Sequence, residues 1–297
     1  MRSPLVILGF DMETDVGSFT PEYRGLTDGT PKILGLLEEL GIEATFYFTG
    51  HAAENHPEVI RMIEGDRVEH EIGCHGLYHE TLGDPIFPLP MVYPLLPEEV
   101  PGRISRATSL VAEAAGRRPV SFRCPRLWGS TAVVNTLEDL GYKTDASYPL
   151  YFHTQQLLPY HPSRKNWLEK GDLSIWEIPN FADLTIDSSD PYGRDRDQWP
   201  LFRTENAAAL VKHIIRYDEY CRERGIPALL CFYFHPWEFV PMKERYDYGE
   251  AVVFPYEMLI KNCGGPALRE LKELLLFLKG ADARFIRAES ITPEDLS

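Results

Sequence analysis

Short apolar runs and longer stretches of helical spacing take turns along this chain. Residues 4–9 form an apolar run with β-branched side chains, read as the first strand. Residues 31–40 carry Ile33, Leu34, Leu36, Leu37 and Leu40 at helical spacing, with Pro31 placed for a first turn and Gly41 as a stop. A second strand follows at 44–48, a short helix opens at His56-Pro57 and ends near Gly65, and residues 68–73 make a third strand. Proline-rich and aperiodic, residues 82–101 read as a long loop, the kind that usually serves as a lid or binding loop. Helices are then predicted near 101–115 and at 131–140, with strands at 119–122 and 142–146. Residues 148–200 are aromatic and turn-rich, with one hairpin-like stretch at 173–178, and read as an insertion over a barrel mouth. An amphipathic helix at 205–222 leads to a wholly apolar run at 228–234, as expected of a parallel strand covered on both faces. A helix at 266–278 and a strand at 283–286 complete the alternation. This order predicts a parallel α/β sheet, open or closed, with reactive residues at the C-terminal ends of its strands, where barrels gather their active sites.

The 297 residues are 44% hydrophobic and 25% charged, enough for one large barrel or two smaller domains. A net charge of −15 argues against a nucleic-acid partner and against tight attachment to anionic lipid. No apolar run approaches the roughly 20 residues of a membrane span. Residues 5–8 are too short for a signal-peptide core and run directly into Asp11. Cys74, Cys124, Cys221, Cys231 and Cys263 fit no zinc-ribbon or CxxC spacing, so they read as reduced fillers in a cytoplasmic protein. The acidic, aromatic-rich surface permits a homo-oligomer.

Four segments carry the candidate chemistry: residues 10–13 with Asp11 and Glu13, 75–79 with His75 and His79, 122–125 with Arg123, and 234–237 with His235. In a strand, residues i and i+2 share a face, so Asp11 and Glu13 point the same way, and Asp15 too if the strand reaches it. Such carboxylates repel unless a cation lies between them; a solvated loop mouth is the plain alternative. His75 and His79 have the i, i+4 spacing that brings two imidazoles together in one helical turn. Arg123 has a buried carboxylate such as Asp11 as a candidate partner. Taken singly, Arg123 reads as a surface ion-pair residue and His235 as a satisfied core histidine. Together the segments supply a divalent-metal site beside a general base and a general acid. No GxSxG elbow, P-loop or GxGxxG fingerprint competes with this reading.

Ala44-Thr45-Phe46 through Thr49-Gly50, then His56-Pro57-Glu58, then residues 70–75 ending at His79, resemble the polysaccharide deacetylase (NodB-homology) family. The likeness runs from the first strand to Trp237. It implies a single domain over 1–297: a distorted, incomplete (β/α) barrel, with loop 82–101 and insertion 148–200 at the site face. It also implies amide hydrolysis with one divalent ion, Zn2+ first and Co2+, Ni2+ or Mn2+ as alternatives. By the same resemblance Asp11 is the base, His75 and His79 are metal ligands, Arg123 orients the base and His235 is the acid. Met12 stands where the family's second adjacent aspartate is common, which leaves Glu13 or Asp15 as the carboxylate ligand, with Glu13 preferred. This resembles an intracellular subgroup of peptidoglycan-deacetylase-like and cyclic-imide or allantoin-hydrolysing members. Arg126, Trp128 and Trp237 are the expected substrate contacts. Arg126 replaces the glycine or tyrosine expected after Pro125, so the family's sugar contacts do not transfer there. Asp145 is placed to orient Arg123 or has no part in the site. Three functions follow: an N-deacetylase of an amino sugar or its precursor, a cyclic amide or imide hydrolase, and a non-catalytic barrel binding carbohydrate through Trp128, Trp237 and Tyr151.

Overall fold

The computed structural model describes residues 3–89 and 92–296. Strand β1 (Leu5–Met12) is the hub of a parallel sheet that continues through β2 (Thr45–Phe48), β3 (Glu71–Cys74), β4 (Ser121–Phe122), β5 (Thr144–Pro149) and β6 (Trp176–Asn180). On the other side β1 pairs along its length with β7 (Leu229–Phe234). A two-residue hairpin, β8 (Tyr246–Asp247) with β9 (Val252–Val253), lies apart, and β10 (Arg284–Ile286) pairs with the start of β1. The sheet curls until Phe181, just past β6, donates its N–H to Cys231 O of β7 at 2.8 Å. The result is an incomplete (β/α) barrel of the expected NodB type.

Alternation along β1 separates the two sides of the sheet. Leu5 and Ile7 join Tyr47, Ala146, Ile178, Leu229 and Cys231 in a small inner cluster. Val6, Leu8, Phe10 and Met12 pack outward with Ile33, Leu37 and other residues of the surrounding helices. Each such fully buried side chain contributes about 1.5–3 kcal/mol by removal from water. Gly9 faces inward, where a Cβ would come within 2.1 Å of Arg123 Nη1. Space for a buried guanidinium is therefore already present in the backbone of β1.

Most predicted elements stand within a few residues of their expected ends. Two differ for physical reasons. The third strand starts at Glu71 because Val68 N–H is taken by Asp66 Oδ1 in a turn (2.9 Å). The stretch at 173–178 is not a hairpin lying over the mouth: Trp176–Asn180 is a barrel strand parallel to β5, and only Glu177 forms an antiparallel bridge, to Tyr160. The segment 148–200 thus includes part of the barrel wall. Residues 82–89 and 92–99 form a loop, anchored by a bridge from Thr81 to Pro94; Pro90 and Met91 lie outside the described residues.

Candidate active site

Strand register brings the four chemical segments to one level. Phe10 pairs with Phe234, so Asp11 and His235 follow side by side. Phe48 pairs with Cys74 and Cys74 with Phe122, which places His75 and Arg123 next in line. Arg123 is fully buried. Its Nη1 donates to Asp11 Oδ1 (2.9 Å), Nη2 to Phe232 O (3.3 Å) and Nε to Ala146 O (3.3 Å), and its plane lies 4.4 Å over the Tyr47 ring. One oxygen of Asp11 is thereby locked. The other, Oδ2, sits 3.9 Å from His75 Nε2 and 4.0 Å from His235 Nε2.

Glu13, His75 and His79 form a buried group whose ligating atoms all lie within 4.8 Å of one another. The two histidines converge through a non-helical turn, not a helix, with Gly76 at φ 77° and His79 at φ 63°. Nδ1 of His75 lies 2.8 Å from Arg123 O. A carbonyl only accepts, so Nδ1 carries the proton and Nε2 presents its lone pair to the group. Glu13 Oε2 is 3.7 Å from that atom and 2.6 Å from His79 Nε2, yet receives no well-aligned hydrogen bond among the described residues. Burial opposes charge on Glu13, but His79, His75 and His235 outweigh it and hold the carboxyl well below its usual range. Burial also drives His79 down to about 4, leaving it neutral at physiological pH. One carboxylate and two imidazoles are a fitting donor set for a divalent ion. Two ligands on one zinc stand roughly 3.3 Å apart, so His79 and Glu13 must part by less than about 1 Å to share one.

His235 is held by Glu238, three residues on, and Glu238 in turn by two residues that have no local signature in the chain. Its Nδ1 faces Glu238 Oε1 (3.1 Å), and its backbone N–H donates to the same oxygen (2.9 Å). Trp199 Nε1 also donates to Glu238 Oε1 (2.9 Å), while buried Arg203 Nε donates to Oε2 (2.5 Å). Burial pulls His235 towards the neutral form; the Glu238 hydrogen bond and the fields of Glu13, Glu238 and Asp11 overcome it and raise its pKa above the ordinary value. His235 therefore holds its proton to higher pH than a free imidazole and loses it as pH rises through that elevated value. Glu238→Gln retains an acceptor oxygen but removes the charge, so the His235 titration should move to lower pH, bringing the alkaline fall in activity with it. NMR of the imidazole reads the shift directly; an unmoved titration would remove Glu238 from this role.

Asp15, the other candidate ligand, points elsewhere. Its carboxylate accepts the N–H groups of Gly25 (2.8 Å) and Arg24 (3.1 Å). The turn so clamped lies against the His235 segment: a Cβ on Gly25 would fall 2.4 Å from Trp237 N, and one on Gly29 2.2 Å from Pro236 O. Gly25→Ala is expected to cost about 1–3 kcal/mol by overpacking and to lower the thermal midpoint by several degrees. An unchanged midpoint would mean that the close approach does not exist. Asp145 bonds Ser147 Oγ rather than Arg123, and burial pushes its carboxyl up to about 7.

Above the group opens a cavity of about 300 Å³, with Asp11, Glu13, His79 and His235 on its floor. Phe87 and Leu89 from the proline-rich loop, Trp199, and Tyr256 and Met258 from the segment after β9 contribute apolar walls. Of the three expected substrate contacts, Arg126 lines this cavity; Trp128 and Trp237 do not, and both are almost completely buried behind it. Trp237 stacks on His235 with ring centres 5.0 Å apart, and Trp128 packs edge-on against Phe87. Their bulk supports the site from behind, a placement that an aromatic count cannot distinguish from a cleft wall. Tyr151 is likewise buried.

The barrel and its residue set define a NodB-type architecture, and comparison with known proteins agrees. Residues 2–144 match the sequence model of the family described as polysaccharide deacetylase. It is 28% identical over 165 residues to a peptidoglycan deacetylase of Helicobacter pylori, a match covering 51% of this chain and 52% of that protein. The aligned stretch thus spans about half the length of that curated relative. Among solved structures, a Mycobacterium smegmatis protein assigned as a polysaccharide deacetylase superposes with a TM-score of 0.62 at 20% identity, over 97% of this chain and 88% of the other. The PuuE allantoinase superposes with a TM-score of 0.60 at 15% identity, over 95% and 87%. Among the described residues, no helix is long and apolar enough to cross a membrane.

Proposed function

We propose that this chain is a metal-dependent amide hydrolase whose first candidate reaction is N-deacetylation of an N-acetylated amino sugar or its precursor. The observation that carries this reading is Asp11: one oxygen locked to Arg123, the other within about 4 Å of both His75 and His235, beside the Glu13–His75–His79 group. A divalent ion held by Glu13, His75 and His79 would polarise the substrate carbonyl and make a water more acidic. Asp11 Oδ2 accepts the proton of the attacking water, with Arg123 holding the carboxylate in its orientation through Oδ1. His235 directs Nε2 to the cavity because Glu238 holds Nδ1, and its proton passes to the leaving nitrogen, a poor leaving group without one. Family kinship and the peptidoglycan deacetylase relative support acetyl removal.

A second reading, hydrolysis of a cyclic amide or imide, is favoured by the cavity. About 300 Å³ is at the small end for ligand pockets, and its apolar walls suit a compact ring better than a polymer. The likeness to an allantoinase fold accompanies it. Incubation with N-acetylated amino sugars and with five- and six-membered cyclic amides separates the two. Acetate release supports the first; loss of ring ultraviolet absorbance supports the second. Absence of both across the panel, with metal added, would overturn the hydrolase reading.

A further inference from the structure

We propose that Arg126 is a carboxylate-binding residue and that the substrate is a small amide carrying a carboxylate. This rests on the hydrolase reading for the word amide, but not for the anion. Two arginines line the cavity, and only one is neutralised. Arg194 donates to Asp197 Oδ2 at 2.5 Å and lies over the rings of Tyr151 (4.9 Å) and Phe87 (5.6 Å). Arg126 forms no ion pair among the described residues. Its Nη1 donates to His79 O (3.1 Å) and Thr81 Oγ1 (3.4 Å), which ties the guanidinium to the turn carrying His79. The Nε and Nη2 edge has no hydrogen-bond partner among the described residues. That edge is one of the flat two-pronged donors that match the two oxygens of a carboxylate.

The backbone supports a specified position. Arg126 and Leu127 both adopt left-handed conformations, φ 61° and 59°, at about 1–2 kcal/mol each for residues with a Cβ. Glu13 and Glu80 act on Arg126 only from beyond ion-pair distance; a half-buried cation without a direct carboxylate contact is costly, and an incoming anion offsets that cost. One guanidinium in a cavity of this size is matched by a single carboxylate; a phosphate would call for further donors. The walls of Phe87, Trp199 and Tyr256 would cover the apolar face of the same molecule.

The test uses two matched pairs: N-acetylmuramic acid with N-acetylglucosamine, and hydantoin-5-acetate with hydantoin. Binding to the zinc-supplemented wild-type protein, Arg126→Gln and Arg126→Lys is measured by titration calorimetry. In at least one pair the carboxylate member should bind roughly 10- to 100-fold more tightly than its neutral partner. Arg126→Gln should abolish that preference while changing the neutral member less than about twofold; Arg126→Lys should keep part of it, which separates charge from loop support. No preference in either pair, including no binding at all, overturns the proposal, as does an equal loss for both members in Arg126→Gln. Arg126-dependent binding with no turnover of any member would sink the hydrolase reading and leave the anion site standing.

Discussion

Asp11→Asn should lower turnover by roughly 10²–10⁴-fold, the loss typical of a missing general base, while the protein still binds its metal. Both halves follow from geometry. Asp11 Oδ2 faces the cavity beside His75 and His235, and an amide there cannot take a proton from water. The group able to hold an ion is Glu13, His75 and His79, and it does not include Asp11. A third consequence concerns stability. Arg123 is fully buried, and Asp11 is its only ion-pair partner among the described residues. Removing that counter-charge should cost roughly 3–5 kcal/mol, visible as a large fall in the thermal midpoint, so turnover must be measured well below it. If metal disappears together with activity, Asp11 is a ligand and not the base.

His235→Ala should also lose roughly 10²–10⁴-fold in turnover with metal retained, but its signature is different. A general acid matters most where the departing nitrogen is a strong base. The deficit should therefore be large for an alkyl amide and shrink for an activated anilide, whose leaving group departs with less help. The bulk of the alkaline limb of the pH profile should vanish as well, since it reports loss of the His235 proton at its raised pKa. A deficit equal for good and poor leaving groups would place His235 in binding rather than proton transfer.

The elements that position this chemistry were largely legible in the chain because each is a local pattern. The apolar runs at β1 and β7 and the helix at Thr30–Leu40 have clear periods, and their ends place Asp11 and His235. The Asp11–Arg123 pair was legible as a candidate, since both residues end strands and opposite charges in one barrel mouth tend to meet. β6 was not legible as a barrel strand: Trp176, Glu177, Pro179 and Asn180 dilute its apolar signal, and Glu177 is buried where a strand usually places an aliphatic residue. The convergence of His75 and His79 was expected for a helical reason that does not hold; left-handed residues at 76 and 79 achieve it instead. Arg203 and Trp199 had no signal at all, because their contacts with Glu238 span 35 and 39 residues of chain. The choice between Glu13 and Asp15 required coordinates, since it depends on which backbone N–H groups lie near Asp15.

Metal content of the purified protein, after incubation with excess zinc and removal of unbound ion, tests the central claim most directly. The wild type should hold one ion per chain, Glu13→Ala and His75→Ala should hold almost none, and Asp15→Ala and His235→Ala should hold as much as the wild type. A wild type that binds no ion, or a Glu13→Ala variant that binds it undiminished, would contradict the site described above.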